Sequence, residues 1–257
     1  MALPSKLKSL VLGLLFASLA ACSTMRGNVA KEHSEALPPA IDTPTAKYVE
    51  AEQSKHAPDQ SGFRLMTLST NALMSRVSLA DHAEHSLDMQ YYIFQNDRTG
   101  KLIAEHLLKA ADRGVRVRIL LDDISLDREV QMFDALDAHE NIEVRLFNPF
   151  NTRKPNFLSK ATQMLFEFRR LNRRMHNKSY IADNKIAIVG GRNIADGYFD
   201  ANEKSNFRDL DLLAIGPVVQ QVRPPSIPTG TTRRRCRSPP SPASATPRPT
   251  WRTCART

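Results

Sequence analysis

Apolar residues recur at helical spacing through Leu65, Leu68, Ala72, Val77, Leu79 and Ala80, which predicts a helix over residues 64–83. The run 86–94 is aromatic-rich and alternates, as a strand does. Asp97–Gly100 is turn chemistry, and residues 102–111 return to helical spacing before Arg113-Gly114, a suitable helix end. A strand over 115–121, an amphipathic helix over 127–139 and a strand over 142–147 follow. This β-α-β-α-β order predicts an α/β fold with parallel strands covered by helices. Further on, the pattern predicts a loop over 148–155 and a helix over 157–170 that ends in Arg169, Arg170, Arg173 and Arg174. Short strands over 179–182 and 185–189 flank Asp183-Asn184, a tight hairpin turn. A strand over 207–215 follows, and Gly216-Pro217 opens another helix.

The two ends of the chain differ from this body. Residues 1–22 have a basic start (Lys6, Lys8) and an apolar run from Leu10 to Ala21, too short for a comfortable bilayer span and typical of an export signal. The run ends Leu19-Ala20-Ala21-Cys22, which resembles the lipobox of bacterial lipoproteins and implies lipidation of Cys22. Acyl chains there would anchor the protein on the periplasmic side of the cell envelope. Ser23 favours the outer membrane, by resemblance to lipoprotein sorting rules. Residues 23–60 are polar, contain Pro38, Pro39, Pro44 and Pro58, and read as a flexible tether, with order expected from about Gly62. Residues 223–257 turn abruptly to Pro, Arg, Ser and Thr without periodicity, a disordered basic tail or the product of a shifted reading frame.

Charge changes the picture less than its total suggests. The chain carries +9, but residues 223–257 hold eight arginines and no acidic residue, which leaves 28 basic and 27 acidic side chains in the first 222 residues. A nearly neutral body makes nucleic acid an unlikely partner. Of the three cysteines, Cys22 closes the export signal and Cys236 and Cys254 lie in the tail, so no disulfide framework is expected. No Cys/His cluster has zinc spacing, and neither metal nor cofactor is expected.

The chemistry concentrates between residues 175 and 193. His176, Lys178 and Asp183 stand in an H-x-K-x4-D pattern, and Gly190-Gly191-Arg192-Asn193 follows. Two residues apart on a strand, His176 and Lys178 project to one face. A neutral imidazole can attack phosphorus or pass a proton, and an ammonium can hold the non-bridging oxygens where charge accumulates. Gly190 and Gly191 let backbone approach a ligand closely, and Asn193 offers an amide donor. Asp183, one turn away, is expected to hold the hairpin rather than touch phosphate. Each residue alone has a plain structural explanation; the combination in this order carries the weight.

This combination resembles the phospholipase D superfamily, and within it cardiolipin synthase-like lipoproteins. Residues 87–94, 111–117, 189–194 and 208–212 add to the resemblance, which covers about residues 61–222. It implies an α/β fold with a phospholipase D-type mixed sheet flanked by helices, one half of the usual two-half sandwich. It also implies metal-independent chemistry through a phosphohistidine, with His176, Lys178, Asp183 and Asp209 as the catalytic set. His176, Lys178, Asn193, Gly190 and Gly191 would bind the phosphate, and Asp209 would orient and charge His176. The implied partner is membrane phospholipid of the phosphatidylglycerol type.

The family pairs two such motifs at one site, whereas this chain carries one, and none of its other six histidines has the Lys and Asp partners. The expected protein is therefore an impaired phosphatidyltransferase or phospholipase truncated to its N-terminal half. A homodimeric single-motif phosphodiesterase or endonuclease and a non-catalytic phosphate-binding envelope protein are the alternatives. A sheet without its other half also predicts exposed apolar surface and poor solubility.

Overall fold

The computed structural model describes residues 29–30, 34–123, 130–148, 172–223, 226–227 and 231–232. Among these the chain forms a mixed sheet with helices packed on it. Its strands are β1 (Val29–Ala30), β2 (Ser34–Glu35), β3 (Gly62–Met66), β4 (Ser86–Tyr91), β5 (Arg116–Asp122) and β6 (Ile142–Phe147). They continue with β7 (Lys178–Ala182), β8 (Ile186–Gly190), β9 (Asp211–Ile215), β10 (Ser226–Ile227) and β11 (Thr231–Thr232). The main sheet runs β1-β11-β6-β5-β4-β7-β8-β9-β3. Its helices are α1 (Pro44–Gln53), α2 (Ser69–His82), α3 (Arg98–Asp112), α4 (Val130–Asp137) and α5 (Val218–Val222).

The parallel trio β4, β5 and β6 is joined through α3 and α4, as the β-α-β-α-β pattern requires. Beyond it, β7, β8, β9 and β3 add antiparallel. One face of the sheet (Leu87, Met89, Tyr91, Val117, Ile119, Tyr180) joins Val77, Ile103, Leu107 and Phe133 in a single core. The other face alternates to Asp88, Arg118 and Asp122, all buried, and Arg118 there ion-pairs with Asp88 and donates to the Ser34 carbonyl at 2.8 Å. Because β4 is buried at every position, its polar residues are not a solvent face.

Four expectations change. The helix expected over 64–83 begins only at Ser69, because Gly62–Met66 pairs with β9, with Leu65 opposite Leu212 and Met66 opposite Asp211. Residues 97–100 are not a free turn: the Asp97 side chain accepts from Gly100 N at 2.9 Å and caps α3. Within the stretch read as tether, Pro44–Gln53 is a helix whose Ala46 and Val49 are buried. Thr43 caps it by accepting from Ala46 N at 3.0 Å, and Pro44 occupies the first turn, where a proline starts a helix instead of breaking it. The strand expected over 207–215 is confined to Asp211–Ile215. Residues 1–22, the helix expected over 157–170 and residues 233–257 lie outside the described residues, and among those described no helix is long and apolar enough to cross a membrane.

Among the described residues, strand β3 closes one edge of the sheet with its outer side unpaired, and Phe63 and Leu65 on it are each 57% exposed. An apolar edge strand invites pairing with another chain, which charged residues suppress. Phe63→Lys with Leu65→Lys is expected to raise the monomeric fraction in gel filtration; unchanged elution would show that this edge does not drive association.

Candidate active site

The site lies where β4 ends and β7 begins, at the carboxyl end of the parallel strands, where open α/β sheets place ligands. Lys178 starts β7 opposite Tyr91, and its Nζ is 3.0 Å from His176 Nδ1 and 2.9 Å from the His176 carbonyl oxygen. The expected pairing of imidazole and ammonium is therefore present. His176 is exposed, so its ring is open to a ligand, whereas Lys178 is buried. That burial pushes the lysine pKa below its ordinary value, and the nearby Asp209 carboxylate opposes the shift.

The remaining predicted residues divide by position. Asp183 sits at the far end of β7. Its carboxylate is fully buried and accepts from the backbone amides of His85 at 2.8 Å, Ser86 at 3.0 Å and Glu84 at 3.3 Å. Both turn residues have positive φ, 51° at Asp183 and 52° at Asn184, in the tight turn between Ala182 and its strand partner Ile186. Asp183 thus clamps the hairpin to the start of β4 and touches no ligand position.

Asn193 is buried, and both ends of its amide are taken. Its Oδ1 accepts from Ile93 N at 3.0 Å, and its Nδ2 donates to the Tyr198 hydroxyl at 2.8 Å. These two bonds make it a brace for the loop after β4. Gly190 and Gly191 are needed for close approach, but what approaches is the chain itself: a Cβ on Gly190 would overlap Asp211 and Leu210, and one on Gly191 would overlap the Asp209 carboxylate. Asp209 does not take the expected place behind His176. Its carboxylate accepts from Leu210 N at 2.8 Å, and Nδ1 of the histidine faces Lys178. Arg174, the last of the four clustered arginines, pairs inward with buried Asp122 at 3.2 Å, while Arg169 and Arg170 fall outside the described residues.

Sequence reasoning missed Tyr92. Its ring lies 4.6 Å from that of His176, centroid to centroid, and the Lys178 ammonium stands 5.4 Å from its centroid. The available signal was the Tyr91-Tyr92 pair: at a strand end, adjacent aromatics point to opposite faces, so one enters the core and the other meets the site. A buried cluster beneath was missed as well. Arg76 pairs with Asp211 at 2.9 Å and donates to the Tyr91 hydroxyl at 3.1 Å, and Arg192 approaches the same carboxylate at 3.6 Å.

The fold and site together are those of a phospholipase D-like domain. Residues 77–222 match the family described as cardiolipin synthase, PLD-like domain, and the chain belongs to that family. It is 50% identical over 169 residues to cardiolipin synthase C of Escherichia coli (strain K12), covering 66% of this chain and 35% of the relative. It is 34% identical over 141 residues to a cardiolipin synthase of Clostridium perfringens (strain SM101 / Type A), covering 54% of this chain and 27% of the relative. The chain thus spans about a third of the length of these curated relatives. Among solved structures it is similar to NucT from Helicobacter pylori, at 21% identity and a TM-score of 0.48, over 63% of this chain and 91% of that one.

Proposed function

We propose that the chain is the N-terminal half of a phosphatidyltransferase or phospholipase that acts on membrane phospholipids of the phosphatidylglycerol type. The observation that carries this reading is the convergence of His176 and Lys178 to 3.0 Å at the carboxyl end of the parallel strands. In the proposed reaction an imidazole nitrogen bonds to phosphorus as the bond to the leaving alcohol breaks, giving a phosphohistidine. A second alcohol or water then displaces the histidine. Lys178 holds the non-bridging oxygens, where charge grows in the transition state. The leaving alcohol needs a proton from a second histidine, and this chain carries one H-x-K-x4-D motif. These residues alone are therefore expected to be impaired until a second such motif completes the site. Acylation of Cys22, with the chain held on the envelope side of an outer membrane, is the proposed route to the substrate.

The single motif also supports a second reading, a homodimeric phosphodiesterase or endonuclease. The two are separated by measuring hydrolysis of bis(p-nitrophenyl) phosphate and cardiolipin formation in phosphatidylglycerol vesicles across gel-filtration fractions. Turnover confined to a dimer, and lost in His176→Ala by a factor of about 1,000 or more, supports the dimeric enzyme. A monomer without turnover rejects it. Phosphate binding that survives His176→Ala, with no turnover in any fraction, favours the third reading, a phosphate-binding envelope protein without chemistry.

A further inference from the structure

His176 stands outside the sheet that holds its partner. Lys178 is the first residue of β7 and is fixed by its place opposite Tyr91, whereas residues 173–177 form neither helix nor strand. An exposed ring on such backbone would drift, and a group that reacts at phosphorus must be held to within about 0.5 Å. The residues on either side of His176 are nevertheless tied down. Met175 N donates to one oxygen of the Asp122 carboxylate at 2.9 Å, and Arg174 Nη1 donates to the other at 3.2 Å. Asp122 ends β5 and is 0% exposed, and the Met175 side chain is buried against Leu120 and Phe147. On the other side, Asn177 Nδ2 donates at 2.7 Å to the side-chain oxygen of Gln90, which is buried in β4. Two adjacent strands of the parallel trio thus hold the neighbours of His176, one on each side.

We propose that Asp122 is a positioning residue for His176: its carboxylate holds residues 174 and 175, Gln90 holds residue 177, and between these two fixed points the imidazole is set against Lys178. Asp122 reaches His176 only through the backbone and touches no reacting atom. Burying a charge is costly, and an apolar side chain of similar size is often as stabilising, so stability alone does not call for a carboxylate at the end of β5. Its two oxygens do what an apolar group cannot: they accept from a main-chain amide outside every ladder, next to the residue whose place matters. A displacement of about 1 Å at a reacting group can cost about 100-fold in rate, so release of either flank should be felt at His176 before it is felt in the fold. The part of the proposal that concerns phosphoryl transfer rests on the proposed reading of the site; the pinning of the backbone does not.

The test uses the full chain labelled in nitrogen-15, with phosphoramidate as the phosphoryl donor. In that reaction a bond from phosphorus to an imidazole nitrogen forms as the bond to ammonia breaks, so no second histidine is needed. Exposed His56 in the same chain is the internal standard. In wild type the Met175 amide should exchange as slowly as those of β7, the His176 ring should give one sharp set of signals, and His176 should be phosphorylated faster than His56. Asp122→Ala should speed Met175 exchange, broaden the His176 signals and slow its phosphorylation by roughly tenfold or more, with His56 unchanged and β4 and β7 still protected. Asp122→Asn, which keeps an acceptor oxygen, should restore part of each. Where Asp122→Ala does not fold, Asn177→Ala, which removes an exposed side chain, decides: it should slow His176 alone. Rapid exchange of Met175 in wild type overturns the proposal without any variant. So does phosphorylation of His176 that neither variant slows, or a loss at His176 matched by equal loss of protection across β4 and β7, which assigns Asp122 to the fold alone. Wild-type His176 that reacts no faster than His56 while Met175 stays protected overturns the phosphoryl-transfer reading and upholds the pin.

Discussion

Replacing Asp183 by Ala is expected to lower the melting temperature by roughly 10 °C, although this residue is the final letter of the motif that marks the active site. Its carboxylate, fully buried, accepts from three consecutive backbone amides, those of Glu84, His85 and Ser86. Hydrogen bonds to a charged acceptor contribute roughly 1.5–3 kcal/mol each, and a buried donor left without a partner carries its full desolvation cost. With shared geometry and partial access of water to the exposed Glu84, a total near 3–5 kcal/mol is reasonable. For a domain of this size each kcal/mol moves the midpoint by about 2–4 °C. Asp183→Asn keeps one acceptor oxygen and the shape but not the charge, and should fall about halfway. Circular dichroism melts decide the matter. If Asp183→Ala melts with the wild type, the carboxylate does not clamp the hairpin, and a role in the chemistry would have to be reconsidered. The β7 strand separates Asp183 from Lys178 by roughly 16 Å at the rise per residue of a strand, which is why the loss is one of stability.

The same residue shows what a sequence can and cannot disclose. The H-x-K pair was legible from its spacing: Lys178 Nζ lies 3.0 Å from His176 Nδ1, although His176 stands two residues before β7 begins. Asp183-Asn184 was legible as a turn because those residue types tolerate positive φ, and both adopt it. The boundary at Gly62–Met66 was not. Leu65 and Leu68 continue the helical spacing of α2, yet both are exposed, at 57% and 60%, and only pairing with β9 makes the first segment a strand. In α1 the signal was present and misread: Thr43-Pro44 opens a helix as well as it interrupts one. Asn193 and Asp209 depended on contacts that no local pattern encodes. The Asn193 bond to Ile93 spans 100 residues, and Asp209 stands against Gly191 only because β9 lies beside β8. Local periodicity thus brought out His176 and its lysine, while the tertiary pairing of strands decided which of the other polar residues reach them.

That dependence on distant pairing is sharpest at Asp211, where Ala is expected to have the other large effect. Asp211 is buried in the core between two guanidinium groups, each with a side chain only 1% exposed: Arg76 at 2.9 Å and Arg192 at 3.6 Å. Removing one partner of a buried pair leaves an uncompensated charge and costs roughly 3–5 kcal/mol, a large part of the 5–15 kcal/mol that holds a typical domain together. Here the carboxylate serves two cations, so the upper part of that range applies, and a fall of roughly 10–15 °C in the melting midpoint follows. Added salt should not rescue the variant, because screening acts on exposed charges and not on this cluster. The double variant Arg76→Met with Asp211→Ala should recover part of the loss, since an apolar side chain carries no charge to strand. Recovery should be partial: Arg76 also donates to the Tyr91 hydroxyl at 3.1 Å and the Ala72 carbonyl at 2.8 Å, and Arg192 stays behind, donating to the Met66 carbonyl at 3.2 Å and the Thr67 carbonyl at 2.8 Å. Tyr91 precedes the Tyr92 that packs on His176, and Arg192 precedes the Asn193 that braces the same loop. Loss of the carboxylate should therefore reach the site before the fold fails, and the His176 signals of Asp211→Ala should broaden well below its melting midpoint. A double variant less stable than Asp211→Ala would show that the arginine is held by its carbonyl and tyrosine contacts more than by the ion pair.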